Sequence, residues 1–387
     1  MGISEMSDEE FFQRYTSPNF TTFFSSGEYF EDDKVSEIDI INLLNLKTEH
    51  LKPFTKELVR RLKGTETIDE IAKAVHAYSQ FQDILGITVI DGNPLINRHY
   101  CYYESLVYAR ESVASWLDNN ALSAITLLRP FIELSIMHIY WYVRCEQDTY
   151  QPYYDWFDGK KGKTPFKNQL DFVFASLEKR IPHKSKRIAD VKYRLQKLYG
   201  AISSYNHTPK VEESIVGIGK GIGTNSLEGF FFYSGMARLV FKQVLYMFIL
   251  AYPMSVFPVE RYKKWGFSGP LGLYFDKTNS LIVENFMGSS NIHAFQEDFS
   301  QYPEVESLLN HFNSVEDITG SELETSWNAL AQSSGLQYSV ANSRKRIAYY
   351  KAHTRGLGWM LNYIGAHQDP SVDIVKSEKI LKRLETW

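Results

Sequence analysis

Apolar residues recur along most of this chain at helical rather than strand spacing. Ile68, Ile71, Ala72, Val75 and Tyr78 share one face at intervals of three and four, which predicts a helix from Ile68 to Leu85 opened by Thr67. Ser36 opens another helix to about Lys63, with Pro53 kinking or breaking it, and a short acidic helix, Ser7 to Arg14, precedes both. Asp91-Gly92-Asn93-Pro94 is a turn cluster. A long amphipathic helix then runs from Asn97 to Leu117, and Asn119 or Asn120 caps the next, Ala121 to Arg144, which Pro130 should bend. Further helices are predicted at Pro165–Lys179, at Arg187–Tyr205, and from Asn225 or Ser226 to Tyr252. Long helices in sequence with moderate loops argue an antiparallel bundle.

After Pro253 the texture changes. Leu271 to Phe286 reads as a β-hairpin turning at Asp276–Ser280. A helix is expected near Glu304–Phe312, another at Glu322–Ser333 behind the capping-box-like Ser321–Glu324, and two more at Val340–Ile364 and Val372–Thr386. The predicted fold class is therefore mainly α, an antiparallel helical bundle with a small β-hairpin and additional C-terminal helices. The expected organisation is an N-terminal helical segment (1–95), a central helical bundle (96–257) and a C-terminal region with the hairpin and helices (258–387). No internal repeat and no low-complexity tract interrupts it.

One helix breaks its own pattern. Ala121 to Val143 is nearly all apolar, yet Arg129 and Glu133 stand inside it four residues apart, on one face and in reach of each other. A charge pair in such a setting is costly unless each partner is satisfied. Two readings follow: a structural pair joining helices, or a site-facing pair in which Arg129 binds an anion such as phosphate and Glu133 orients it or acts as a base.

Composition narrows the partners. The chain has 387 residues and a formal net charge of -4, so global electrostatics point to neither nucleic acid nor membrane and leave only a local basic patch. The 25 Tyr and 25 Phe fill cores and can also build interfaces. Cys101 and Cys145 lack metal-ligand spacing and fit a reduced, cytoplasmic setting. The start Met1 to Glu10 is acidic and reads as no signal peptide. Ala121–Val143 carries Arg129, Glu133 and His138, and Phe230–Val256 carries Arg238 and Lys242, so both are expected to be buried helices of a soluble protein with no membrane partner.

Other candidate chemistry is sparse. His207 ends a long helix, where the helix dipole favours imidazolium and hence anion binding or acid catalysis, or simply capping. Arg346 and His353 are two helical turns apart among Arg344, Lys345, Lys351, Arg355, Tyr349 and Tyr350, a composition shared by phosphate-contacting helices and ordinary solvated faces. The glycines from Gly217 to Gly223 match no phosphate-loop pattern and read as a connector. Asp155 and Asp158 flank Trp156-Phe157 and are weak metal candidates, so neither a metal nor any other cofactor is expected.

Leu127-Leu128-Arg129-Pro130-Phe131-Ile132-Glu133, followed by Leu198-Tyr199, Ile202-Ser203 and His207, resembles the HEPN-like helical bundles, in particular their abortive-infection and uncharacterised bacterial branch. The likeness covers roughly residues 97–252. It implies an all-α bundle, often dimeric, and in many members a metal-independent endoribonuclease acting in defence or as a toxin. The family's nuclease signature is an Arg, a polar residue, and a His after four to six intervening residues. Arg129 is followed by Pro130 with no His at that spacing, whereas Arg346 and His353 keep the spacing with Ile347 in the polar place. The resemblance thus implies Arg129, Glu133, His207, Arg346 and His353 as catalytic candidates, RNA as substrate, and a homodimer. The alternative is a non-catalytic interaction or ligand-recognition bundle with a protein partner. A third reading is a helical enzyme using Glu133 as a base on a small anion.

Overall fold

The computed structural model describes residues 6–16, 66–85, 99–117, 120–147, 151–162, 164–181, 185–206, 227–259, 264–265, 274–275, 277–319, 322 and 325. These residues are almost wholly helical and contain no strand, so the chain is mainly α. They form two compact units. The first takes residues up to Ser79 and Thr88–Ala251, and the second takes Gln80–Ile87 and everything from Tyr252.

In the first unit the helices are α1 (Asp8–Tyr15), α2 (Glu66–Ser79), α4 (Tyr100–Leu117), α5 (Ala121–Gln147), α6 (Gln151–Phe157), α7 (Phe166–Arg180), α8 (Ser185–Asn206) and α9 (Leu227–Ala251). α5 is the hub, packing against α4, α7, α8 and α9. It runs unbroken through Pro130. Asn120 is its cap, accepting a bond from the Ser123 N–H at 3.1 Å. The short 118–120 connection forces α4 and α5 antiparallel, and the Ser112 hydroxyl bonds the Ala124 carbonyl across them at 2.7 Å.

The bundle is not antiparallel throughout. Phe131 meets Phe241 with ring centroids 4.7 Å apart and His138 stacks on Phe248 at 5.6 Å, so α5 and α9 run the same way. α2 also parallels α9, from the Glu70–Arg238 pair at 2.9 Å to the Tyr78–Phe248 ring contact at 5.2 Å. Only helices joined by short loops must reverse. Between α5 and α9 the chain makes α6, α7 and α8, which leaves their mutual direction free.

The core of this unit is aromatic and its polar groups are used. Tyr78 is fully buried, and its hydroxyl bonds the Ser105 and Ser135 hydroxyls at 2.6 and 3.1 Å. Burial pushes its ionisation far above the ordinary tyrosine range. The Tyr102 hydroxyl donates to the Tyr78 and Ser79 carbonyls at 2.9 and 3.2 Å. Those carbonyls would serve the next helical turn, and their capture ends α2 at Ser79 rather than at the expected Leu85. Phe81–Leu85 forms a separate short helix, α3, assigned to the second unit.

α1 is held by sequence-local and distant charges. Ser7 and Glu10 make a reciprocal capping box. Asp8 pairs with Arg238 and Lys242 of α9 at 2.8 and 2.9 Å, and Glu9 pairs with Arg194 of α8 at 2.7 Å. Gly235 lets α1 approach, since a Cβ there would lie 2.4 Å from the Phe11 ring. α9 is long and apolar enough over Phe231–Ala251 to cross a membrane by length and composition, and 83% of its most apolar window is buried inside the protein.

The second unit holds a 3₁₀ turn (Pro253–Val256), α10 (Lys277–Met287), α11 (Ser289–Phe299) and α12 (Pro303–Ser314). α10 overturns the second arm of the expected hairpin, and Tyr274 and Phe275 are not in a strand. The run Leu281-Ile282-Val283 suits a strand locally, but the buried positions are Asn279, Ser280, Val283 and Met287, a helical spacing, with Leu281 exposed. Asn279 donates to the Gln80 side-chain carbonyl and to the Asp83 carboxylate at 2.8 and 2.7 Å. A reciprocal box forms between Thr319 and Glu322, two residues before the expected Ser321–Glu324. The expected helices at 36–63, 340–364 and 372–386 lie outside the described residues.

Candidate functional site

The pair expected from spacing is made. Arg129 Nε donates to Glu133 Oε1 at 3.1 Å, one turn apart on α5, with side chains 29% and 15% exposed. α8 supplies the third member. The Tyr199 hydroxyl donates to the same Glu133 oxygen at 2.8 Å, and the Arg129 guanidinium carbon lies 5.4 Å from the Tyr199 ring centre. α7 supplies the fourth, because Phe166 stacks on Tyr199 with centroids 3.7 Å apart and planes 12° apart. The fit depends on α7 and α8 running antiparallel. Asp171 pairs with Lys192 at 2.8 Å seven residues back along α8 from Tyr199, while Phe166 lies five residues before Asp171.

Electrostatics at this node keep Arg129 charged and Tyr199 protonated. Burial alone would draw the Arg129 guanidinium down. The bond to Glu133 and the interaction with Tyr199 outweigh it and hold the group above its ordinary value. Burial raises the Tyr199 phenol, and its bond to the Glu133 carboxylate raises it further. Tyr199 is therefore a neutral donor at physiological pH, and Glu133 is the acceptor that both neighbours share. A permanent cation at a half-open helix face, oriented by a carboxylate and backed by a stacked ring pair, is suited to holding an anion.

Two polar atoms beside this node are unsatisfied. Ser203 lies one turn after Tyr199 on α8, and its buried hydroxyl has no hydrogen-bond partner among the described residues. Gln169 lies three residues after Phe166 on α7, is 2% exposed, and its side-chain carbonyl is likewise without a partner. Ser203 was visible as part of the Tyr199–Ser203 spacing. Phe166 and Gln169 carried no local signal, because their relation to Arg129 arises only when three helices pack.

The remaining candidates divide. His207, Arg346 and His353 lie outside the described residues, so the geometry joins Arg129 to Glu133 and leaves those three unplaced. Asp155 pairs with Lys161 at 3.2 Å and Asp158 with Lys160 at 2.9 Å, which spends both carboxylates on lysines. Among the described residues no group of three His, Cys, Asp or Glu side chains stands ready to hold a metal ion. Cys101 and Cys145 are buried thiols.

Compared with family models, with curated proteins and with solved structures, the chain matches none.

Proposed function

We propose that this chain is a HEPN-like helical-bundle protein of a bacterial defence or toxin type that acts on RNA as a metal-independent endoribonuclease. The observation that carries the reading is the Arg129–Glu133–Tyr199 node on a half-open face of the bundle. In this reading Arg129 holds the scissile phosphate and offsets the charge that develops on the phosphorane, with Glu133 and Tyr199 fixing its orientation. His207 or His353 takes the proton from the ribose 2′-hydroxyl as its oxygen attacks the adjacent phosphorus. The P–O5′ bond breaks and the 5′ oxygen gains a proton from solvent, leaving a 2′,3′-cyclic phosphate and a 5′-hydroxyl. Arg346 is the alternative cation if the chemistry sits with His353. A homodimer and a cytoplasmic location belong to the same proposal.

A second reading is recognition without turnover, and one observation favours it. Glu133 already serves both Arg129 and Tyr199, so the node is built to hold an anion rather than to supply a base. One experiment separates the two. Purified protein is incubated with total RNA and with tRNA, with and without EDTA, beside Arg129→Ala, His207→Ala and His353→Ala. Cleavage that survives EDTA and disappears in Arg129→Ala and in one histidine variant is the expected result. Intact RNA throughout removes the endoribonuclease and leaves the recognition bundle. Cleavage unchanged in Arg129→Ala removes this node from the mechanism.

A further inference from the structure

α4 buries one side and shows the other. Cys101, Tyr102, Leu106, Ala109 and Val113 are buried on the side that packs against α2 and α5. On the opposite side Tyr100, Tyr103 and Val107 are 42%, 37% and 50% exposed. Their spacing of three and four places them in one stripe, which Ala114 continues and Arg110 interrupts. Phe157 of α6 is 39% exposed, meets the Tyr100 ring edge-on at 5.6 Å and widens the stripe at the start of α4. Four of the six large apolar side chains exposed among the described residues thus stand in this one patch. Single exposed apolar residues are ordinary on a protein surface, whereas a cluster of them marks a surface that another molecule covers.

The charges along the stripe narrow what that molecule is. On the α4 surface Tyr100, Val107 and Ala114 form a central row, with Tyr103 and Arg110 on one flank and Glu104 and Glu111 on the other. Glu104, Arg110 and Glu111 make no ion pair among the described residues. Asp8, Glu9 and Asp171, by contrast, are each paired with a cation of a neighbouring helix. When two copies of such a helix pack in parallel about a two-fold axis, each flank meets the opposite flank of the other copy at nearly the same height. Arg110 then faces Glu111 of the second copy, and the Tyr103 hydroxyl faces the Glu104 carboxylate of the second copy. Val107 and Ala114 each meet their own counterparts. Antiparallel packing sets each flank against its own kind and brings Glu104 onto Glu111, two like charges. The helix face is therefore self-complementary in one direction only. Left-handed packing at about 20° keeps a row of this spacing in contact along its length.

We infer that the exposed face of α4 is the interface at which two copies of this chain join, their α4 helices packed in parallel about a two-fold axis at Val107. The occupant is a second copy because the charge register closes on itself: each Arg110 finds a carboxylate, and each Glu111 finds the cation that it lacks within its own chain. Arg110 sits in the contact row itself, where a polar residue fixes register and direction at some cost in stability. Tyr100, Tyr103 and Phe157 supply the aromatic area that such interfaces favour. The inference gives a face to the homodimer proposed above, and it does not depend on RNA being cut.

The test is sedimentation of the full chain over a range of concentrations, with circular dichroism and thermal melting confirming that each variant is folded. The wild-type chain is expected to dimerise. Val107→Glu, at an exposed position, sets two carboxylates against each other on the axis and is expected to weaken the dimer at least about ten-fold. Arg110→Glu and Glu111→Arg should each weaken it, and the two changes in one chain should restore most of the loss. Ala114→Cys should cross-link to its counterpart on oxidation, since the native Cys101 and Cys145 are buried. A dimer that Val107→Glu leaves unchanged overturns the α4 interface and moves the homodimer to another face. A dimer that Glu111→Arg tightens, with no cross-link through Ala114→Cys, overturns the parallel register. A wild-type chain that is monomeric at every concentration overturns the inference and the homodimer with it, while the cleavage assay alone decides the RNA reading.

Discussion

Two tyrosine hydroxyls tie α5 to its neighbours, and they do so in opposite ways. Tyr78, from α2, is fully buried and ends on two serine hydroxyls within a shell of aromatic rings. Tyr199, from α8, is half-buried and ends on a carboxylate that is also paired with an arginine. The first is neutral and closed. The second is charged and stands beside a buried serine hydroxyl and a buried amide carbonyl that lack partners among the described residues. A helix bundle needs the first kind of contact to choose one packing. It has no structural need for the second, since an apolar pair of similar volume would join the helices at least as well. That difference is why the Arg129 face, rather than the Tyr78 core, is read as the site.

The comparison breaks most sharply in the core. Phe131 is fully buried, and its ring meets Tyr78 at 5.0 Å and Phe241 at 4.7 Å. Phe131→Ala removes a ring held by three helices and is expected to lower unfolding free energy by about 3–5 kcal/mol. Urea denaturation measures it, and a loss below about 1 kcal/mol would mean that this region is not the tightly packed one. Arg129→Ala, on the half-open face, is expected to cost less, because it deletes no core ring and the Glu133 carboxylate left behind keeps its bond from Tyr199.

A smaller effect is expected where α1 meets α9. Gly235→Ala drives a methyl into the Phe11 ring and should destabilise by about 1–3 kcal/mol, as over-packing does. Phe11→Ala in the same chain makes room for that methyl. The double variant should therefore be less destabilised than the sum of the two single changes. Strict additivity would show that Gly235 is tolerated for some reason other than this approach.

How much of this the sequence shows depends on the range of each interaction. Arg129 and Glu133 are readable because a pair four residues apart on a helix is a local fact. The α4 and α5 helices are readable for the same reason, as is the antiparallel turn between them. Tyr199 could be suspected only from its spacing to Ser203, and Phe166 not at all, since its stack on Tyr199 needs α7 and α8 folded back on each other. The parallel course of α5 and α9 is invisible because nothing local records where a chain returns after three intervening helices. The hairpin expected over 271–286 fails because Leu281-Ile282-Val283 has strand-like side chains, while the burial of Ser280, Val283 and Met287 follows helical spacing. The end of α2 at Ser79 is set by Tyr102, more than twenty residues away. The candidates His207, Arg346 and His353 rest on sequence alone.

A matched pair of substitutions sharpens the contrast between the two hydroxyls. Tyr78→Phe and Tyr199→Phe each delete one oxygen and keep the ring. Each is expected to cost about 1 kcal/mol, with Tyr78 the larger because its serine partners are left buried. Their salt response should differ. Half-molar sodium chloride screens the Glu133–Arg129–Tyr199 node and should shrink the Tyr199→Phe effect, while a neutral buried bond is indifferent to salt. Equal salt dependence in the two variants would remove the distinction between a charged face and a closed core.

The smallest expected effect is the alkaline response at Tyr199. An unfolded tyrosine ionises near pH 10, and burial together with the Glu133 carboxylate holds the Tyr199 phenol above that value. Between the two values the unfolded chain has lost the proton and the folded chain keeps it. Stability from this group is therefore complete below about pH 10 and is lost as pH rises through that window. Tyr78, raised far higher by full burial, should dominate the alkaline loss, so Tyr78→Phe flattens the curve of urea midpoint against pH from 9 to 11.5 more than Tyr199→Phe does. The order follows from exposure, because water reaches the Tyr199 face and relieves part of the cost of ionising there. The reverse order would mean that Tyr199 sits in the drier of the two environments, and the Arg129 face would then be the closed structural contact that Tyr78 is taken to be.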